Sequence, residues 1–475
     1  MIIEITKKNK NLLFGIILLG LIFRILFVLV GAKFYYGTEN FMAQGDTLSW
    51  INSFINLYST GTYTCNIGIE NAMFFRPPGY SFIMGIFYLL CGQNQELSFK
   101  VLAWFQVLLD TIAIGMIFSI VKNAGGAIKT ALIASFLYAI YPFIIVWNPV
   151  LYAELCSVFF IITSLYFIYS NKKHNYLFAG IFIGLAVLTR LQCIFLFPWM
   201  MWLVWNKTGG KNFIKQGSLA FLLSFSVVYG SWPARNLIFH NRIMFAQDLR
   251  IGRHWSPDYL SFMYYIFAIK TDHQPQYQQI IENKKVEWPR EAYLMPGDSA
   301  KLDTLIQLCR TCGTGFSFFK YYSGNSRDTL IPSNNCDSII ESGFNQLIAE
   351  QKNNNKLNYY LYTPLGNLKK ALFKFSLYGN KSAIVKLAGS TLFVFRSFMI
   401  FLGLFAIFLN YKHKWISTSL CTMILLYFIS WYFYICFSYR NMEIRYLLHC
   451  DLLLLIPAAG LISSFFKDST KKIAS

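Results

Sequence analysis

Two carboxylates and four guanidiniums in this sequence stand where charge is expensive. Asp46 lies in MAQGDTLSW, shortly after the first apolar run, and Glu154 lies in WNPVLYAEL, about one turn into a later one. Arg76 falls in FFRPPGYSF, Arg190 in VLTRLQC, Arg235 in SWPARNL, and Arg445, followed by Tyr446, in MEIRYLL. A charge at the edge of apolar sequence needs a partner, a cavity or a task. Guanidinium forks match phosphate oxygens two at a time, and a carboxylate beside them can take the proton of an attacking hydroxyl. Plainer roles compete with these. Asp46 suits a helix N-cap, and Arg76, its approach fixed by Pro77 and Pro78, suits an interfacial anchor. Whether the six residues converge separates the two accounts.

The elements that must bring them together are membrane helices. Of the 475 residues 55% are hydrophobic and only 13% charged, a surface that no soluble fold could hide. Apolar runs of about 20 residues, each able to cross roughly 30 Å of hydrocarbon, recur along most of the chain. Candidate spans are 11–31, 98–121, 127–146, 150–170, 175–190, 193–206, 213–231, 387–409, 415–437 and 445–465. The first run is too long for a signal-peptide core and lacks a small-residue cleavage site, so it counts as a span. Lys7, Lys8 and Lys10 before it put the N-terminus in the cytoplasm.

Residues 79–92 are apolar but short of a crossing. Left out of the count, they leave the basic loops bearing Lys122/Lys129, Lys172/Lys173, Lys207/Lys211/Lys215, Lys412/Lys414 and Lys467/Lys471/Lys472 all on the cytoplasmic side. They are therefore expected as a helix lying in the outer interface. Residues 46–58, with Leu48, Ile51, Phe54, Ile55 and Tyr58 at helical spacing, form a second. The expected fold is an all-α polytopic membrane protein of about ten transmembrane helices, with two interfacial helices in the first outer loop and a small extracytoplasmic region. Its parts are a transmembrane module at 1–231 with an outer loop at 32–97, an extracytoplasmic loop or domain at 232–386, and C-terminal helices at 387–475. Both termini then lie inside.

With that threading, the four arginines, Tyr446 and the two acids all reach the outer face, against the bias that places basic residues inside. A phosphate at membrane level is what a polyprenyl-phosphate sugar presents, and the arginines could hold its charge as it departs. Arg24, Asp110, Arg396 and Asp451 lie deeper in spans and are expected to pair or snorkel. The formal charge of +20 is accounted for largely by membrane-flanking lysines, so no nucleic-acid partner is expected. Cys309, Cys312 and Cys336 share the one long polar segment, where a disulfide or free thiols are expected ahead of a metal. With six histidines in no ligand pattern, and His254 more at home in a loop than in a ligand set, no metal cage is expected.

In order and spacing the motifs resemble the GT-C superfamily, specifically the family 39 type that includes protein O-mannosyltransferases and lipid A aminoarabinose transferases. The matching pieces are Gly45-Asp46, RPPGY at 76–80, NPVLYAE at 148–154, AGIFIGLAVLTR at 179–190, WPARN at 232–236 and IRYLL at 444–448. The resemblance implies a catalytic acid in the first outer loop, where Asp46 stands, and a second-loop acid at Glu154. It further implies a dolichyl- or undecaprenyl-phosphate monosaccharide as donor, inversion at the anomeric centre and no obligatory metal or other cofactor. Two departures leave the acceptor open among glycan, lipid and protein: Thr47 follows Asp46 where mannosyltransferases often have Glu, and Phe75 and Arg76 replace an acid and a lysine of the aminoarabinose enzymes. Short loops favour a bacterial inner membrane, with the site periplasmic or extracellular. A transporter or lipid flippase, or a scaffold derived from the enzyme, is the competing expectation; a transporter would place polar sites near the midplane and show repeat symmetry.

Overall fold

The computed structural model describes residues 6–170, 172–208, 217–248, 255–270, 274–322, 334–374, 383–441 and 443–466. His254, Lys211, Lys215, Lys467, Lys471 and Lys472 lie outside them. Among the described residues every regular element is a helix. Five are long and apolar enough to cross a membrane: Lys7–Tyr36, Gln95–Asn123, Ala383–His413, Thr418–Tyr439 and Ile444–Phe465. The chain is an integral membrane protein.

Of the other five expected spans, four fall on shorter or interrupted helices, and proline accounts for much of the interruption; the fifth, 213–231, begins outside the described residues and continues on the 23-residue Ser218–His240. Pro142 lacks an N–H and disfavours helical backbone at the residue before it, so 127–146 divides into Ile128–Ala139 and Pro142–Ile145. The 193–206 stretch begins as a 3-10 turn, Leu191–Leu196, and becomes helical only at Phe197–Lys207, with Pro198 in the first turn. Ala153–Tyr169, Asn175–Thr189 and Ser218–His240 complete the set.

The first outer loop holds the two short helices expected there, Thr47–Thr60 and Pro78–Leu90. Trp50, Ile51, Tyr80 and Met84 from these helices share a buried cluster with Phe99 and Leu102 of Gln95–Asn123 and Cys156 of Ala153–Tyr169. Gly79 makes the docking possible: a Cβ there would come 2.5 Å from the Thr189 backbone nitrogen, a clash that rigid backbone cannot relieve. Arg76 and Arg190 flank this contact in the chain.

The polar segment folds into helices of its own. Pro257–Ile269, Asp298–Thr311 and Asn335–Asn354 enclose Phe262, Tyr265, Ile266, Phe316, Ile340 and Phe344. Cys312 and Cys336 form a disulfide across this unit, while Cys309 is free and buried.

The four deep charges pair. Arg24 donates through Nε to Asp110 (2.6 Å), which also accepts from the Tyr138 hydroxyl (2.5 Å) and the Asn148 amide (2.8 Å). Arg396 Nε meets Asp451 at 2.6 Å, and the Tyr432 hydroxyl donates to the other carboxylate oxygen at 2.6 Å. In both places an Asp takes an Arg and a Tyr, so that no net charge is buried.

Candidate active site

Asp46 stands at the N-cap position of Thr47–Thr60, yet its side chain makes no capping bond. Its backbone (φ −70°, ψ −15°) is already helical, whereas a capping side chain reaches back from extended backbone. The carboxylate instead accepts from Arg76 Nη2 at 2.7 Å. Arg76 Nε donates to Ser49 Oγ at 2.8 Å, and the guanidinium lies 4.1 Å from the Phe75 ring centroid and 4.7 Å from that of Trp50. The preceding Gly45 has φ +39°, and a Cβ on it would sit 2.6 Å from the Tyr152 hydroxyl. Gly45-Asp46 is thus one device: the glycine turns the chain under Tyr152 and aims the acid.

Glu154, in the first turn of Ala153–Tyr169, is buried and meets Arg190 Nη1 at 2.6 Å. Arg190 terminates Asn175–Thr189 in extended backbone, and its Nε donates to Gln192 (2.8 Å). The loop that delivers Glu154 is tied to the first outer loop by Leu151 N donating to Met42 O (3.0 Å) and Thr47 Oγ1 to Leu151 O (3.2 Å). Beneath it, Ser157 Oγ bonds Glu154 O at 2.7 Å and His449 Nε2 at 2.8 Å, joining this helix to Ile444–Phe465.

Arg445 links the two pairs. It lies 3.6 Å from Asp46 Oδ2, 3.6 Å from Glu154 Oε1 and 2.6 Å from Glu443 Oε2. The Tyr446 hydroxyl donates to the other oxygen of Glu443 at 2.9 Å. These residues line one cavity of about 430 Å³, together with Phe195, Met263, Tyr264, Phe267 and Tyr434. Burial alone would raise the pKa of Asp46, but the charges of Arg76, Arg445 and Arg190 more than reverse this and hold the carboxyl below its ordinary 3.8.

Of the residues singled out in the sequence, Asp46, Arg76, Glu154, Arg190, Arg445 and Tyr446 share this cavity; Arg235 does not. Its guanidinium donates to the carbonyls of Tyr63 (2.9 Å) and Met73 (3.1 Å) and lines a separate apolar cavity of about 380 Å³. Nearness to the outer end of a helix is a one-dimensional measure, and Arg235 faces another side of that helix. Arg235→Ala is expected to leave those carbonyls without their donor, at about 1–3 kcal/mol, and to speed amide hydrogen exchange in 63–74. Unchanged exchange would mean that Arg235 does not hold this loop. Glu443 was missed in the sequence. An acid two residues before an arginine in a loop resembles a solvated pair, and only the fold shows that it faces the other acids.

Residues 75–232 of the 475 match the family model for dolichyl-phosphate-mannose-protein mannosyltransferase. The match covers less than half of the chain, and over it the chain is similar to that family of glycosyltransferases. No curated protein matches the chain in sequence. Among solved structures it is similar to the oligosaccharyltransferase AglB from Archaeoglobus fulgidus in complex with an inhibitory peptide and a dolichol-phosphate, at 12% identity and a TM-score of 0.47, over 97% of this chain and 51% of that one. It is also similar to ArnT from Cupriavidus metallidurans bound to undecaprenyl phosphate, at 12% identity and a TM-score of 0.34, over 92% and 77%. The chain spans about half the length of the archaeal enzyme. The matched segment contains Arg76, Glu154 and Arg190, while Asp46, Glu443 and Arg445 lie outside it and join them only in three dimensions.

Proposed function

We propose that this glycosyltransferase moves a monosaccharide from a polyprenyl phosphate to an acceptor hydroxyl on the extracytoplasmic face, by one inverting displacement. The observation that carries the reading is the shared cavity: acids and arginines from separate stretches of the chain meet in one 430 Å³ space, with Asp46 still 39% exposed. Arg76, Arg190 and Arg445 hold the donor's phosphate, and Glu154 fixes Arg190 and Arg445. Asp46 accepts the proton of the acceptor hydroxyl as its oxygen bonds to the anomeric carbon. The bond from that carbon to the phosphate oxygen breaks, and polyprenyl phosphate leaves with the electron pair, its new charge met by the arginines. The scheme calls on no metal.

The membrane arrangement proposed with it has ten spans, both termini in the cytoplasm, and Thr47–Thr60 and Pro78–Leu90 in the outer interface. The Cys312–Cys336 disulfide supports an outer position for the polar unit, because such bonds persist in oxidising compartments. A bacterial inner membrane with an undecaprenyl carrier fits the short loops. Transport is less well supported, since the intramembrane charges Arg24, Asp110, Arg396 and Asp451 are spent on each other among buried side chains.

The test is mass spectrometry of lipids copurified with the full chain, followed by transfer from the recovered glycolipid to candidate acceptors. Retention and consumption of a polyprenyl-phosphate sugar is expected; a chain that neither holds nor uses one would favour transport or scaffolding. A pH dependence follows as well. A carboxyl with a depressed pKa stays ionised until the pH drops below 3.8, so kcat/KM should hold level from pH 7 to pH 5. An acid limb in that window would mean that Asp46 is not the titrating base.

A further inference from the structure

Each arginine of the site has a carboxylate: Arg76 has Asp46, Arg190 has Glu154 and Arg445 has Glu443. An arriving phosphate must therefore compete with a carboxylate for its arginines, and the three carboxylates are unequally held. The Glu154 side chain is 1% exposed. Asp46 faces Arg76, whose guanidinium is fixed by Ser49 and by the rings of Phe75 and Trp50. Glu443 is the most exposed of the three: its side chain is 43% exposed against 39% for Asp46, and it sits on extended backbone (φ −111°, ψ 139°) just before Ile444–Phe465. Its two oxygens lie across Arg445 Nε and the Tyr446 hydroxyl, two donors that two oxygens of a phosphate would engage equally well.

We propose that Glu443 is a built-in surrogate for the donor phosphate, resting on Arg445 and Tyr446 when the site is empty, swinging out when the lipid phosphate binds, and returning to help expel it. This rests on the reading of Arg445 as a phosphate holder. The exchange gives a reason for an acid at the mouth of an anion site. It gives Arg445 a counter-charge at 2.6 Å, closer than Asp46 and Glu154 at 3.6 Å. It also sets a toll on binding, because apparent affinity falls in proportion to the fraction of molecules in which the site is free. Were Glu443 in place in about nine molecules of ten, binding would be about tenfold weaker than the arginines alone would give. The same toll speeds departure of the product, which carries more negative charge than the donor.

The experiment measures binding of undecaprenyl phosphate to the detergent-solubilised full chain, by intrinsic tryptophan fluorescence, for wild type, Glu443→Gln and Arg445→Ala. Glu443→Gln keeps the side-chain length and one hydrogen-bonding oxygen but loses the charge. It is expected to bind about tenfold tighter, and in turnover to lower the KM for the donor and kcat together as release slows. Arg445→Ala is expected to bind more weakly than wild type. Equal or weaker binding by Glu443→Gln, with Arg445→Ala weakened, would overturn the surrogate alone and make Glu443 a plain support for Arg445. Undiminished binding by Arg445→Ala, or no binding by wild type, would overturn the phosphate-site reading and the surrogate with it.

Discussion

Asp46→Asn is expected to lower sugar transfer by about 10²–10⁴-fold, the range for loss of a positioned general base, while the chain folds and still binds the lipid phosphate. The replacement is nearly isosteric and its amide oxygen can still accept from Arg76 Nη2, now 2.7 Å from the carboxylate, so the Thr47–Thr60 helix has no reason to move. What disappears is the proton acceptor. A second consequence separates this outcome from misfolding: Arg76 and Arg445 lose a counter-charge, so phosphate affinity should be kept or increased. Single-turnover transfer from the copurified glycolipid, with lipid-phosphate binding measured on the same preparation, tests both. A mutant that binds and turns over like wild type would remove Asp46 from the mechanism.

The largest stability effect is expected deep in the bundle. Asp110→Leu leaves Arg24 as an unmatched cation at a position with no exposure and should destabilise the protein by about 3–5 kcal/mol. The cost comes from stranding the partner rather than from losing attraction, because a buried pair gains little over well-packed apolar groups. Arg24→Met combined with Asp110→Leu should therefore regain a large share of the loss. Recovery will be incomplete, since Tyr138 and Asn148 lose their acceptor in both variants. Thermal unfolding in detergent of the two variants and wild type reads the difference. A single mutant as stable as wild type would mean that Arg24 finds water or headgroup, contrary to the geometry.

The helices of the first outer loop were legible because Leu48, Ile51 and Phe54 carry a local period and 79–92 is an apolar run too short to cross, and both helices lie within a residue or two of those bounds. The interruptions at Pro142 and Pro198 were also written locally, although hydropathy averaged over a window passed across them. The side chain of Asp46 was a different matter. Its type and position suited a cap, and the choice against capping depends on Gly45 turning beneath Tyr152, a residue far along the chain.

By itself the sequence determined that the protein lives in a membrane, that it is helical, and that Asp46, Glu154 and a set of arginines had to be accounted for. Those conclusions rest on quantities that add up along the chain: apolar length, charge at segment ends, helical spacing. Partner choice is not such a quantity. Arg24 could have met Asp110 or Asp451, Arg235 could have faced the acids, and Glu443 could have pointed to water. Each outcome depends on the rotation of one helix against another, which is set by packing contacts such as Gly79 against Thr189. Coulomb energy falls with distance in space and takes no account of separation in sequence, so the matched charges of the site existed only once the helices had packed.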